Sequence, residues 1–438
     1  MASSDNQIEN VLSFVSSEQG RCLDELKSFL RIPSVSTESR HLADVRRCAE
    51  FVAADLRQMG MQKVEILPTA GHPAVYAEWL GAPGQPTALV YGHYDVQPVD
   101  PENLWTTPPF EPTERDGYLY ARGSSDDKGQ THIHLKATEA YLKTVGRLPI
   151  NLKFIVEGEE EIGSEHLPAL IQAERERLRA DFVVISDGAM FDRGVPAICY
   201  ALRGLAYWQI DLIGANADLH SGVYGGSVAN PIEVLAHLLA TLKDDQGRIL
   251  VPGFYDAVRE IDSAERAQLA RLPFDEEKFK RDLGVEDVFG EVGYTTLERR
   301  GARPTLELNG IWGGFTGEGS KTVLPSRASA KLSSRLVPDQ EPDRIGDLVE
   351  AHLRKHCPRT VTMSFTRMAG AQPAMTPLDH PAVKAAERAI QRAFGKPPVY
   401  EREGGTIPVV ATFAQELGAP TVLLGFGLND DHLHAPNE

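Results

Sequence analysis

Cysteine is scarce: Cys22, Cys48, Cys199 and Cys357 are the only four in 438 residues, and none shows the paired spacing of a disulfide framework or a thiolate metal site. Isolated thiols fit a reducing compartment, and we expect a cytoplasmic protein. Positive charge is also short. The 45 Lys and Arg stand against 62 Asp and Glu, a net of −17, which argues against a nucleic-acid footprint or an anionic membrane surface as partner. No run approaches the length of a membrane span. The N-terminal stretch Met1 to Asn10 carries acids where a secretory leader has basic residues ahead of an apolar segment, so neither secretion nor membrane insertion is signalled. The chain has no internal repeat and no low-complexity segment.

What the chain does have is length beyond one ordinary core and 42% apolar residues to fill two domains. In residues 41–59, Leu42, Val45, Ala49, Val52 and Leu56 recur at spacings of three and four, one apolar face of a helix. Short β-rich runs follow at 74–79, 87–91, 152–156 and 182–185, separated by helical patterns at 129–145 and 164–178. The same texture returns with a helix at 379–394 and a strand at 421–425. Alternation of this kind predicts an α/β layer on a mostly parallel sheet. Between the two stretches, longer strands are expected at 205–213, 305–311, 328–336 and 361–366, with a helix at 231–243 and a charged helical stretch at 255–283. This reads as an inserted α+β domain bounded by glycine-containing turns near Arg203-Gly204 and Ala369-Gly370. The expected division is 1–203, 204–369 and 370–438. The charged stretch 255–300 is assigned to a solvated helical surface with no chemistry.

Two strings about thirty residues apart, Gly92-His93-Tyr94-Asp95-Val96 and Gly123-Ser124-Ser125-Asp126-Asp127-Lys128-Gly129, follow expected strands. Farther on come Glu159-Glu160-Glu161, Ser186-Asp187-Gly188, and His432 and His434. Imidazoles and carboxylates without thiolates are the ligands of a catalytic zinc or manganese site. Taken singly, a histidine is usually a satisfied polar residue and an acidic triplet a solvated helix start. Together these residues occupy the carboxyl ends of strands, where ligands gather in open α/β sheets.

Asp95 lies two residues after His93 on extended chain, so its carboxylate can orient a metal-bound imidazole. Glu160 and Glu161 are adjacent and diverge, which lets one bind metal while the other acts as general base. Asp126 is the candidate to bridge two metals, and its neighbour Asp127 reads equally well as a loop-capping carboxylate. Trp105, Tyr118 and Tyr120 are read as core aromatics rather than pocket walls.

Gly92-His93-Tyr94-Asp95-Val96-Gln97-Pro98, Gly123 to Gly129, and Glu157-Gly158-Glu159-Glu160-Glu161-Ile162-Gly163-Ser164 resemble the dinuclear-zinc peptidase family of carnosinases, cytosolic nonspecific dipeptidases, carboxypeptidase G and succinyl-diaminopimelate desuccinylases. The likeness covers nearly the whole chain. It implies a zinc-peptidase-like catalytic domain interrupted by a lid and dimerisation domain, with two divalent ions per subunit, zinc or alternatively manganese. It gives one ion to His93 and Asp187, the other to Glu161 and His434, with Asp126 bridging, Glu160 as general base and Asp95 as orienter. His434 is preferred to His432 because His434-Ala435-Pro436-Asn437-Glu438 matches the family's His-x-x-Asn-Glu. Family members continue past this motif into a terminal helix. Four residues follow His434 here, so either the sequence is truncated or this ligand is expected on an unanchored tail, where ordering costs would weaken the site.

The inserted domain also resembles the dipeptidase branch. Asp218-Leu219-His220-Ser221-Gly222 implies a histidine, His220, that completes the partner protomer's site in a homodimer and holds an oxyanion. Thr322, Arg335 and Thr406 lie in segments resembling those that hold substrate, and a guanidinium suits a free carboxylate. For Arg335 alone, a surface salt bridge is the plainer reading. Asp rather than Glu at 187 favours a free amino group. The implied activity is hydrolysis of dipeptides with both termini free. The alternatives are an N-acyl amino acid deacylase of the same family and an inactive binding or scaffold protein on the same fold.

Overall fold

The apolar stripe of the third helix is real: in Leu42–Met59, Val45, Cys48, Ala49, Val52, Ala53, Leu56 and Met59 are all buried. Gly60 ends that helix in the left-handed region (φ 105°), where its amide returns to the carbonyls of Leu56 and Arg57 and a side chain would be strained. The computed structural model describes residues 4–438, and the first three residues of the acidic N-terminus lie outside the described residues.

The chain divides into two compact units. One contains the residues up to Tyr200 together with Thr376–Tyr400 and Thr412–Glu438; the other contains Ala201–Met375 and Glu401–Ala411.

In the first unit the stripe packs on a sheet whose order runs Lys63–Leu67, Ala74–Trp79, Asn151–Glu157, Thr87–His93, Phe182–Ile185, Thr421–Leu423, Ala197–Leu202. The four inner strands Asn151–Glu157, Thr87–His93, Phe182–Ile185 and Thr421–Leu423 are mutually parallel, with antiparallel strands on either side. The sheet is mostly parallel and the unit α/β, as expected. Parallel register aligns the carboxyl ends: His93 pairs with Glu157, and Tyr91 with Ile185 two residues before Asp187. Helix Lys128–Val145 starts immediately after the Gly123–Asp127 loop. Two further helices, Ser4–Ser17 and Gln19–Leu30, precede the first predicted one.

The second unit is a four-stranded antiparallel sheet, ordered Glu307–Gly313, Arg327–Leu336, Gly204–Ile213, Thr362–Ala371. Strict alternation along Gly204–Ile213 turns Ala206, Trp208, Ile210 and Leu212 onto helices Pro231–Ala240 and Pro342–His356. Segment Glu401–Ala411 belongs to this unit although the sequence pattern assigned it to the α/β part. Polar contacts hold it there: Arg402 Nε donates to Glu265 Oε1 (2.7 Å) and Arg203 Nε to the Gly404 carbonyl (3.2 Å).

The stretch 255–283 is not one helix. It forms Ser263–Leu269 and Glu276–Leu283, capped by Asp262 and Asp275, with Pro273 between them. Nor is 255–300 wholly solvated, since Glu291 and Glu298 are buried, Glu291 in a two-pronged pair with Arg303 at 2.7 and 2.8 Å. Among the three aromatics assigned to the core, Tyr118 is 44% exposed and is faced by Arg193. All four cysteines are free, and among the described residues no helix is long and apolar enough to cross a membrane.

Leu56 is fully buried in the first core. Leu56→Ala should therefore lower unfolding stability by about 2–5 kcal/mol in denaturant titration, and a loss below about 1 kcal/mol would contradict this packing.

Candidate metal centre

Two groups of three potential ligands lie at the carboxyl ends of the parallel strands. Ligand atoms of His93, Glu160 and Asp187 fall within 4.8 Å of one another, as do those of Asp126, Glu161 and His434. Asp126 stands between them. Its Oδ1 is 3.1 Å from His93 Nε2 and its Oδ2 is 3.0 Å from His434 Nε2. His93 Nε2 also lies 3.8 Å from Asp187, and His434 Nε2 3.3 Å from Glu161. His432 is in neither group among the described residues; it is exposed and lines a neighbouring cavity.

Local backbone chemistry presents these groups. Gly92 allows the strand to approach helix Lys128–Val145, because a Cβ there would sit 2.1 Å from Thr131 Oγ1 and 2.8 Å from Asp127 Oδ2. Asp127 is buried, and although it precedes helix Lys128–Val145 its side chain makes no capping bond to that helix's backbone: its Oδ2 accepts from the His93 amide (3.1 Å) and Thr131 Oγ1 (2.8 Å), which ties strand to helix. Asp95, fully buried, does more than face His93 Nδ1 at 3.4 Å. Its two oxygens accept the amides of Glu160 (3.3 Å) and Glu161 (3.1 Å) and so hold the turn Glu160–Ile162, while the nearer partner of His93 Nδ1 is the Asp95 main-chain carbonyl at 3.1 Å.

Gln97 was not singled out from the sequence, yet its Nε2 donates to Glu161 Oε2 at 2.8 Å and fixes that side chain. Its place in the first motif was the available signal. Glu159, assigned no role of its own from the sequence, is buried and accepts the His72 amide at 2.9 Å.

The tail after His434 is anchored, contrary to the expected loose end. Asn437 Oδ1 accepts the Thr106 amide at 2.7 Å, and buried Glu438 accepts amides of Gly123, Ser125 and Asp126. Multiple hydrogen bonds supply the ordering that sequence length alone denied it.

Crowding of carboxylates governs the electrostatics. Burial, reinforced by Asp187, Glu161 and Asp95, raises the Glu160 carboxyl to about 8 despite nearby His93. Burial would also raise Asp126, but hydrogen bonds from His434 and His93 outweigh it and hold that carboxyl below its usual range. Hydrogen bonds to Asp126 and Glu161 lift His434 to about 10. A third acidic group, Glu25, Asp55 and Glu139, already surrounds the Lys136 ammonium at 2.7, 2.9 and 3.1 Å and so has its cation.

The remaining candidates lie in the second unit. His220 Nδ1 accepts the Gly222 amide at 3.0 Å, so a neutral ring carries its proton on exposed Nε2, ready to donate. Its strand pairs with Val323–Leu324, and Ser221 donates to the Thr322 carbonyl at 3.1 Å. Arg335 Nη1 donates to Thr406 Oγ1 at 2.7 Å, and that hydroxyl donates to the Arg203 carbonyl at 2.6 Å. The salt bridge considered for Arg335 is not formed, since no carboxylate lies within ion-pair distance among the described residues.

A family model described as Peptidase family M20/M25/M40 matches residues 89–438. The chain belongs to that peptidase family. Among its relatives in this family, the Cys-Gly metallodipeptidase dug1 of Schizosaccharomyces pombe is 34% identical over 98% of this chain and 94% of its own length. Human carnosine dipeptidase 1 superposes with a TM-score of 0.78 at 32% identity, covering 98% of this chain and 94% of that one. The M20 metallo-carboxypeptidase Sso-CP2 of Sulfolobus solfataricus gives a TM-score of 0.82 at 35% identity, covering 95% and 94%.

Membership of this family of metallopeptidases implies a divalent metal. The donors fit one: two imidazoles and four carboxylates converge, a set suited to a divalent cation. With His434 as a ligand, binding would displace its proton, since a coordinated imidazole is neutral and Asp126 and Glu161 raise this one to about 10 in the metal-free protein. Affinity should therefore rise with pH below that value. Calorimetric titration of metal at pH 7 should show about one proton or more released per chain, read as a heat that varies with buffer ionisation enthalpy. A buffer-independent heat would contradict the assignment.

Proposed function

We propose that the chain is a metal-dependent dipeptidase acting on dipeptides with free amino and carboxyl ends. The observation that carries this is the placement of Asp126, one oxygen toward each histidine, between two ligand groups. His93 and Asp187 would hold one ion, Glu161 and His434 the other, with Asp126 shared. Zinc suits this imidazole and carboxylate set, and manganese is its nearest competitor. When bound, the two ions would supply Lewis acidity at the scissile carbonyl and acidify the attacking water.

The chain's own residues do the rest. Glu160, ionised once cations stand beside it, takes the water's proton and hands it to the leaving amine; the burial and neighbouring carboxylates that raise its carboxyl in the metal-free protein make that anion a stronger base. His220 Nε2–H is a donor suited to the developing oxyanion. Arg335, lacking a carboxylate partner, is suited to the substrate's free carboxylate, with Thr406 fixing the guanidinium and Thr322 beside His220 on the adjoining strand.

A homodimer is part of this proposal. Strand Glu307–Gly313 forms one edge of its sheet and exposes Leu308, Ile311 and Trp312, a surface that a symmetric partner can cover. Free thiols at all four cysteines are compatible with a cytoplasmic site of action.

The similarity to the Sulfolobus metallo-carboxypeptidase favours one rival, removal of a terminal residue from longer peptides. A panel of a dipeptide, its N-acetyl derivative and a tripeptide separates the readings: the free dipeptide should be turned over fastest, and preference for either other substrate would replace this one.

Glu160→Ala should cut turnover by about 10²–10⁴-fold with metal content retained; wild-type turnover would sink the role of base. If His220 serves the partner's site, mixing inactive Glu160→Ala and His220→Ala chains should restore about a quarter of wild-type activity, because half the dimers are mixed and each has one intact site. No restoration on subunit exchange would place His220 in its own protomer's site.

A further inference from the structure

Glu438 is a buried anion fastened to one loop. Its Oε1 accepts three backbone amides, from Gly123 (3.1 Å), Ser125 (3.2 Å) and Asp126 (3.1 Å), and its Oε2 accepts from the Arg122 guanidinium. Both side chains of this ion pair are 1% exposed. The pair is fixed in turn: Arg122 Nη2 donates to the Pro98 carbonyl at 3.0 Å, and the Ala121 amide donates to the Glu438 carbonyl at 2.9 Å. Four residues earlier in the same segment, His434 meets Asp126 Oδ2 at 3.0 Å. The segment therefore touches the Asp126 loop twice, once through a ligand side chain and once through a clamp on the loop's own backbone.

We propose that Glu438 is a positioning residue for the second ion, setting the distance between Asp126 and His434 by gripping the Asp126 amide from the His434 segment. This rests on the reading of Asp126, Glu161 and His434 as that ion's ligands. Three charge-assisted hydrogen bonds, from the amides of Gly123, Ser125 and Asp126, leave the loop little freedom to move against the tail. Of the first ion's ligands Glu438 grips the backbone of one, the shared Asp126, whereas on the second ion's side it ties Asp126 to the segment that carries His434. The clamp therefore bears more heavily on the second ion, two of whose ligands it holds together, and a purely structural residue would show no such bias.

The test is stepwise cobalt(II) affinity, measured by chelator competition and the visible absorption of the bound ion, in wild type, Glu438→Ala and Glu438→Gln. Alanine removes every acceptor, whereas glutamine keeps one oxygen for the amides. In Glu438→Ala the second binding step should weaken by about 10–100-fold and the first by clearly less, with Glu438→Gln in between. Should the alanine chain fail to fold, Glu438→Gln decides by the same criterion, selective weakening of the second step. Unchanged affinities, or equal losses in both steps, would overturn the clamp. A wild-type chain taking up only one ion would overturn the reading of the centre itself, and the clamp with it.

Discussion

The carboxylate of Asp126 is the interaction on which the centre depends. Held between two imidazoles at 3.1 and 3.0 Å, it belongs to one ligand group and reaches the histidine of the other. Its position decides whether the groups form one binuclear centre or two unrelated polar clusters. The surrounding acids, Asp95, Asp187, Glu160 and Glu161, are costly to bury side by side, and divalent cations would offset that cost. In that sense the site is assembled for divalent cations, and its protonated imidazoles and raised Glu160 carboxyl are what the same geometry looks like without them.

The fold meets this demand through backbone more than through side-chain packing. Parallel register delivers His93, the Glu160–Ile162 turn and Asp187 to one rim. Carboxylates then bind the amides of the segments that carry the ligands: Asp127 takes the His93 amide, Asp95 those of Glu160 and Glu161, Glu438 that of Asp126. Each bond fixes a main-chain position rather than a flexible side chain, so the ligand inherits the rigidity of strand or loop.

The residues brought together here were legible because they sit in short strings directly after strands, where strand periodicity and ligand chemistry can both be read. The apolar stripe of Leu42–Met59 was visible for the same local reason. What escaped depends on contacts between distant segments. Gln97 and Glu438 carry no chemistry signal until Glu161 and the Asp126 loop are beside them. Segment Glu401–Ala411 looks like part of the α/β layer until Arg402 finds Glu265 and Arg335 finds Thr406. The charged stretch 255–300 could be read as solvated only because nothing local announces that Arg303 will bury Glu291.

The central claim is that Asp126 joins two ions into one centre. Anomalous scattering at the zinc edge from crystals of the zinc-loaded protein tests it most directly. The account predicts two peaks about 3.5–4 Å apart with one Asp126 oxygen on each. A single peak, or two peaks of which only one touches Asp126, would contradict it.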